Sequence, residues 1–316
     1  MFAKIKKNIF ISIAAAGLLY LLLSIYADFD KVLHAFSIFN WFFLPLLLLL
    51  SFANYVTRFL KWDFYLQLLK IKIKKIDSFS VFMSGLIMSV TPGKMGELLK
   101  AYLVKQISGE PVSKTAPIIF AERITDFLSL IFIGLIGGYV YNFGRVIVIA
   151  VGIFFVVVTI ALTNKNIGET IISYFQKINV LKKYTEHAKA AYESSYQMLQ
   201  MKALLQMSLL SLVAWFFECL GYYLILINFK VEVSLLWASF SYAFATIVGA
   251  ISMLPGGLGV TEGSLTVLLQ QKHYSLEIAF ASTFIVRIVT LWFAVLVGVL
   301  SVLLYQKRFG KITIEK

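Results

Sequence analysis

Apolar runs of membrane-spanning length dominate this sequence and restrict its fold before any motif is considered. Runs near 8–26, 40–60, 116–140, 146–163, 206–228 and 278–305 reach or approach the ~20 residues that a helix needs to cross a ~30 Å hydrocarbon layer. Lipid cannot satisfy backbone N–H and C=O groups, so such runs must bond within themselves. They are read as transmembrane helices of an all-α polytopic membrane protein. Composition agrees: 60% of residues are hydrophobic and 14% charged, whereas a soluble domain keeps roughly a quarter charged to solvate its surface. The run 8–26 follows Lys4, Lys6 and Lys7. It is long for a signal peptide and no small-residue cleavage site follows, so it is expected to be a retained first span.

The net charge of +13 reports orientation. Lys and Arg mark the cytoplasmic side of a bilayer. They collect at the N-terminus, at 61–75 (Lys61, Lys70, Lys72, Lys74, Lys75), in 164–205 and in the C-terminal tail, while the alternate loops carry only Lys31, Arg145, Lys230 and Lys272. Six spans then put both termini in the cytoplasm of a bacterial or archaeal inner membrane. The basic residues form no soluble module, so nucleic acid is not an expected partner. Cys219 is the single cysteine, and His34, His187 and His273 lack ligand-like spacing; no metal or cofactor is expected.

Two further apolar stretches, 78–105 and 234–271, are each broken by a Pro-Gly cluster. The charge bias requires the first to enter and leave on the cytoplasmic side and the second to do so on the opposite side. Each arm of the first is about 14 residues, or ~21 Å of helix, which passes the midplane without crossing. Both are read as re-entrant helical hairpins. Ser89 to Gly96 and Ser252 to Gly259 share the pattern S-x-x-P-G-x-x-G, each is followed by an acid (Glu97, Glu262), and each half later buries an arginine, Arg123 or Arg287. The expected organisation is one membrane domain over 1–316. It comprises a first half (40–140), an amphipathic cytoplasmic segment (164–205) and a second, inverted half (206–305). Inverted repeats with broken helices at matching positions are a transporter pattern, and the breaks point to the substrate site.

Charges near the bilayer centre cost at least ~2.5 kcal/mol each and are usually paired or functional. Lys94, Glu97, Glu122, Arg123, Glu262 and Arg287 sit at or after the breaks or at repeat-matched positions, and they are candidates to meet a lipid headgroup. Gly96, Gly256, Gly257 and Gly259 join them, because a helix beginning after such a break points its positive end at an anion. Arg58, Asp126 and Glu218 are expected to form structural ion pairs. No catalytic set is assigned.

Three motifs resemble a known family. Thr91-Pro92-Gly93-Lys94-Met95-Gly96-Glu97-Leu98-Leu99-Lys100-Ala101-Tyr102, then Ala121-Glu122-Arg123-Ile124-Thr125-Asp126, then Leu254-Pro255-Gly256-Gly257-Leu258-Gly259-Val260-Thr261-Glu262 are similar to the lysylphosphatidylglycerol synthase transmembrane, or flippase-like, family. Many members carry arginine where Lys94 and Lys100 stand. The resemblance implies a module that moves a polar-headed lipid between leaflets, with polyprenyl-phosphate lipids also among the candidates. The soluble aminoacyl-transfer domain of the fused resistance proteins is missing from this sequence, so lysyl transfer is not expected, although a separately encoded lipid-modifying enzyme is a natural partner.

The resulting expectation is a lipid translocase without an ATPase, since no G-x-x-x-x-G-K-[ST] loop occurs. It would bind a membrane lipid with an anionic or zwitterionic headgroup. The alternatives are an integral-membrane glycosyl- or phosphoryl-transferase acting on a polyprenyl lipid, and a non-transporting lipid-binding scaffold.

Overall fold

The computed structural model describes residues 29–91, 96–177 and 182–310. The expected first span and Pro92 to Met95, which include Lys94, lie outside the described residues. Everything described is helix, turn or loop, with no strand. In chain order the helices are α1 (Phe29–Ile38), α2 (Leu44–Leu68), α3 (Lys75–Gly85), α4 (Leu99–Ser108), α5 (Val112–Tyr141), α6 (Arg145–Thr163), α7 (Lys165–Lys177) and α8 (Thr185–Met198). They continue with α9 (Met201–Asn228), α10 (Leu235–Ile251), α11 (Val260–Gln270), α12 (Leu276–Arg287) and α13 (Phe293–Phe309). A π-turn over Ile288–Trp292 joins α12 to α13, so Leu276–Phe309 is one apolar rod; Trp41–Leu68, Arg145–Thr163 and Met201–Asn228 are likewise long and apolar enough to cross a membrane. The chain is an all-α polytopic membrane protein.

One boundary differs from the sequence reading in a way that matters for the site. Lys61 was grouped with the basic loop, but α2 continues to Leu68 and leaves Lys61 1% exposed. A lysine beside an apolar run reads as a boundary; here its charge is answered inside the protein.

α2 and α9 pack against each other and run antiparallel. Asn40 N–H donates to Asn228 at one end, Asn54 Nδ2 donates to the Ala214 carbonyl at the crossing, and Lys61 Nζ donates to Ser211 Oγ beyond it. Both helices end in the same turn. Lys70 and Lys230 have positive φ (56° and 58°), and Ile71 and Val231 donate back to Leu66 and Leu226. Each turn reverses the chain into a helix that lies along the bundle, α3 from one end and α10 from the other.

These helices are the first arms of two hairpins. α3 tightens into a 3₁₀ segment, Leu86–Val90, before the break, and α4 returns beside it. α10 ends at Ile251, a 3₁₀ turn over Pro255–Gly257 follows, and α11 returns. The two tips meet: Leu86–Val90 packs on Pro255–Gly257, with Val90, Leu258, Leu291 and Val295 forming a small apolar cluster.

Each hairpin leans on the long helix of the other half. A Cβ on Gly298 would lie 2.1 Å from the backbone nitrogen of Ile87, so α13 can approach the first hairpin this closely only with glycine there. Gly134 on α5 faces Ile247 of α10 in the corresponding place, with more room: its Cβ would stand 3.6 Å from Ile247 Cδ1. Between the halves, α7 and α8 form a pair, with Tyr192 Oη donating to the Asn164 carbonyl, and α8 rests on α5.

Candidate functional site

The interlocking leaves a cavity of about 720 Å³ between the hairpin tips, α2, α5, α9 and the α12–α13 rod. Ala150, Val151, Phe154 and Phe155 of α6, with Ile251, Met253 and Leu254, give the cavity an apolar lining. Phe154 and Met253 are exposed on the outer surface. The rest of the lining holds a charged wall.

That wall is built on one turn of α5. Glu122, Arg123 and Asp126 project from it toward three different elements. Glu122 accepts from Lys100 Nζ at 2.5 Å, tying α5 to α4. Lys100 also lies over the rings of Trp62 and Phe82, 4.7 and 5.1 Å from their centres. Arg123 donates through Nη2 to both oxygens of Glu97, at 2.6 and 2.5 Å, tying α5 to the first hairpin tip. Asp126 accepts from Lys61 Nζ and Arg58 Nη1, both at 2.6 Å, and from Ser211 Oγ at 3.0 Å, tying α5 to α2 and α9. Lys61 reaches the Glu122 carbonyl and Thr125 Oγ1 as well.

Removing one partner from such a buried pair costs about 3–5 kcal/mol, because the other charge is stranded away from water. Asp126 is surrounded on both oxygens and serves the fold. Arg123 is different: its side chain is 22% exposed, and its buried Nε has no partner among the described residues. It faces the cavity with donor capacity to spare.

The second half repeats part of this pattern. Arg287 Nε donates to Glu262 Oε1 at 2.7 Å, and Nη2 donates to the Gly256 carbonyl at the second hairpin tip. Glu262 Oε2 in turn accepts from the N–H of Gly259 at 2.7 Å. The arginine-to-carboxylate link between long helix and hairpin therefore occurs twice.

Glu97, Glu122, Arg123, Gly256, Gly257 and Arg287 line the cavity, and so do Arg58, Asp126 and Glu218. Gly96, Gly259 and Glu262 do not. Gly96 is packed against Thr91 and Met88. The helix start after Gly259, expected to face an anion, is occupied by the carboxylate of Glu262 one turn later. Glu218, expected in an ion pair, makes none among the described residues. Its Oε2 accepts from Tyr242 Oη at 2.7 Å, while Arg58 of α2 donates to Asp126 and Asn54 and lies over Trp215.

Sequence reasoning missed Lys61, Lys100 and Tyr55. Lys100 had a usable signal, three residues after Glu97 within the motif. Tyr55, which lines the cavity and donates to the Thr290 carbonyl at 2.7 Å, had none, because one tyrosine in an aromatic-rich helix looks like any other.

Residues 9–298 match the family model of the lysylphosphatidylglycerol synthase TM region. A UPF0104 membrane protein of Methanocaldococcus jannaschii is 26% identical over 228 residues, which covers 71% of this chain and 95% of that protein. One from Methanothermobacter thermautotrophicus is 25% identical over 284 residues, covering 81% and 82%, and one from Pyrococcus horikoshii is 22% identical over 276 residues, covering 78% and 82%.

Proposed function

Because this chain belongs to the lysylphosphatidylglycerol synthase transmembrane family, we propose that it is a translocase for a polar-headed, phosphate-bearing membrane lipid. The single observation that carries the reading is the mixed lining of the cavity, which joins Arg123 and Arg287 to apolar residues such as Phe154 and Met253 that are also exposed on the protein's surface. Its volume falls in the range of about 300–1,000 Å³ typical of small-molecule sites. A headgroup would sit against Arg123 and Arg287, whose planar forks suit phosphate oxygens, while its chains stay beside α6 in lipid.

The direction of movement follows from exposure of this cavity to one leaflet and then the other as the hairpin tips part. The two arginine–carboxylate links, Arg123–Glu97 and Arg287–Glu262, hold the tips to the long helices, and a phosphate competing for either arginine would loosen one of them. No covalent step is involved in this reading. Lys70, Lys72, Lys74, Asp77 and Arg308 gather at one end of the bundle, and Arg145, Lys230 and Lys272 at the other; the excess of Lys and Arg at the first end would be cytoplasmic.

The test is leaflet exchange in liposomes holding the purified protein, with labelled phosphatidylglycerol, aminoacylated phosphatidylglycerol and a polyprenyl phosphate. Movement of one lipid class, lost in both Arg123→Ala and Glu97→Gln, is the expected result. Protein-independent exchange rates for all three lipids would refute the reading.

A further inference from the structure

We propose that Glu218 is a proton-binding site that couples occupation of the cavity by an anionic lipid to uptake of one proton. The lipid half of this inference rests on the translocase reading; the proton half does not.

Glu218 lies in the interior of α9 (Met201–Asn228) and lines the cavity. Every other carboxylate of the charged wall has a cation: Glu97 has Arg123, Glu122 has Lys100, Asp126 has Lys61 and Arg58, and Glu262 has Arg287. Among the described residues Glu218 has only the Tyr242 hydroxyl. The titratable and charged groups that act on it are Tyr55 and Arg58 from α2, Tyr242 from α10 and Cys219 beside it on α9; Arg58 in turn pairs with Asp126 of α5, and Arg287 of α12 acts on Tyr242. Among the described residues Arg58 is the one cation that acts on it, and the hydrogen bonds of Arg58 go to Asp126 and Asn54. A carboxylate held this deep in a membrane protein without its own cation marks an ion or proton pathway.

Charge balance sets the stoichiometry. Among the described residues the lining sets Arg58, Lys100, Arg123 and Arg287 against Glu97, Glu122, Asp126 and Glu218, an even match, and Lys61 and Glu262 add one charge of each sign behind it. With Glu218 ionised, a phosphodiester would bring an uncompensated negative charge into a low-dielectric chamber. With Glu218 protonated, the wall carries one net positive charge, equal and opposite to a phosphodiester. The proton comes from water on one side of the membrane, adds to a carboxylate oxygen and leaves with the lipid on the other; no bond other than O–H forms or breaks.

Two measurements test this on the purified, full-length protein in detergent. The first is the infrared band of protonated carboxyl, followed from mildly acidic to mildly alkaline pH in the wild type, Glu218→Gln and Tyr242→Phe. A titrating band that is lost in Glu218→Gln, and whose midpoint moves in Tyr242→Phe, is expected; a band unchanged in Glu218→Gln overturns the proposal. The second is proton uptake, read with a pH dye in weak buffer, on adding short-chain phosphatidylglycerol. About one proton per lipid bound is expected in the wild type, and none in Glu218→Gln, which still binds the lipid with an affinity that no longer varies with pH. Lipid binding without proton uptake in the wild type overturns the coupling. So does selective loss of aminoacylated phosphatidylglycerol binding in Glu218→Gln with proton uptake on phosphatidylglycerol intact, since the carboxylate would then be an ammonium acceptor. If phosphatidylglycerol binds neither protein, the coupling to this lipid is overturned, the translocase reading is decided by leaflet exchange of the other two lipids, and the infrared band alone decides Glu218.

Discussion

Lys61 and Asp126 meet at 2.6 Å in the interior, on helices α2 and α5, with both side chains almost wholly buried. The same carboxylate also holds Arg58 at 2.6 Å, so one anion answers two cations. The two residues are therefore unequal. Asp126→Asn strands two buried cations, whereas Lys61→Met leaves Arg58 and Asp126 as a one-to-one pair. Thermal unfolding in detergent should show Asp126→Asn losing about 3–5 kcal/mol or more and Lys61→Met clearly less. Equal losses would mean that the cluster is not organised around the aspartate.

Gly298 and Gly134 mark corresponding contacts with different tolerance. Gly298→Ala would press a methyl group into the backbone of Ile87, which cannot rotate away, and overpacking of this kind costs about 1–3 kcal/mol. Gly134→Ala meets side chains at 3.2–3.6 Å and should cost less. Melting temperatures of the two variants give the ranking, and the reverse order would contradict the described packing of α13 on the first hairpin.

Arg123→Lys separates the fold from binding. Lysine keeps a positive charge opposite Glu97 but loses the planar fork and the free Nε donor. The variant should unfold close to the wild type, while its affinity for a phosphate-bearing lipid falls roughly 10- to 100-fold, the equivalent of one hydrogen bond to a charged group at about 1.5–3 kcal/mol. Equilibrium binding of labelled phosphatidylglycerol measures this; unchanged affinity would remove Arg123 from the headgroup site.

Orientation can be read by labelling. Cys219 is buried and should resist a membrane-impermeant maleimide in intact cells. In a Cys219→Ser background, Lys272→Cys is expected to react from outside, and Lys72→Cys only after the membrane is opened. The opposite pattern would invert the assignment of the basic end.

The membrane class and the all-α fold were legible in the sequence because they depend on local properties. A run of apolar residues is costly in water wherever it occurs, and Pro-Gly interrupts a helix whatever surrounds it. The paired arginines, Arg123 and Arg287, were legible for a similar reason: a charge inside an apolar run calls for a partner. Which partner it finds is not local. Glu218 was expected in an ion pair and Glu97 at a headgroup, yet Glu97 pairs with Arg123 while Arg58 goes to Asp126 and leaves Glu218 with a tyrosine. Lys61 looked like the edge of a loop until α5 brought to it Asp126, 65 positions further along the chain. The sequence by itself determined what must be buried and where the backbone must break. Only the tertiary structure decided which charges neutralise one another, because ion pairing depends on distances of a few ångströms between helices far apart in the chain.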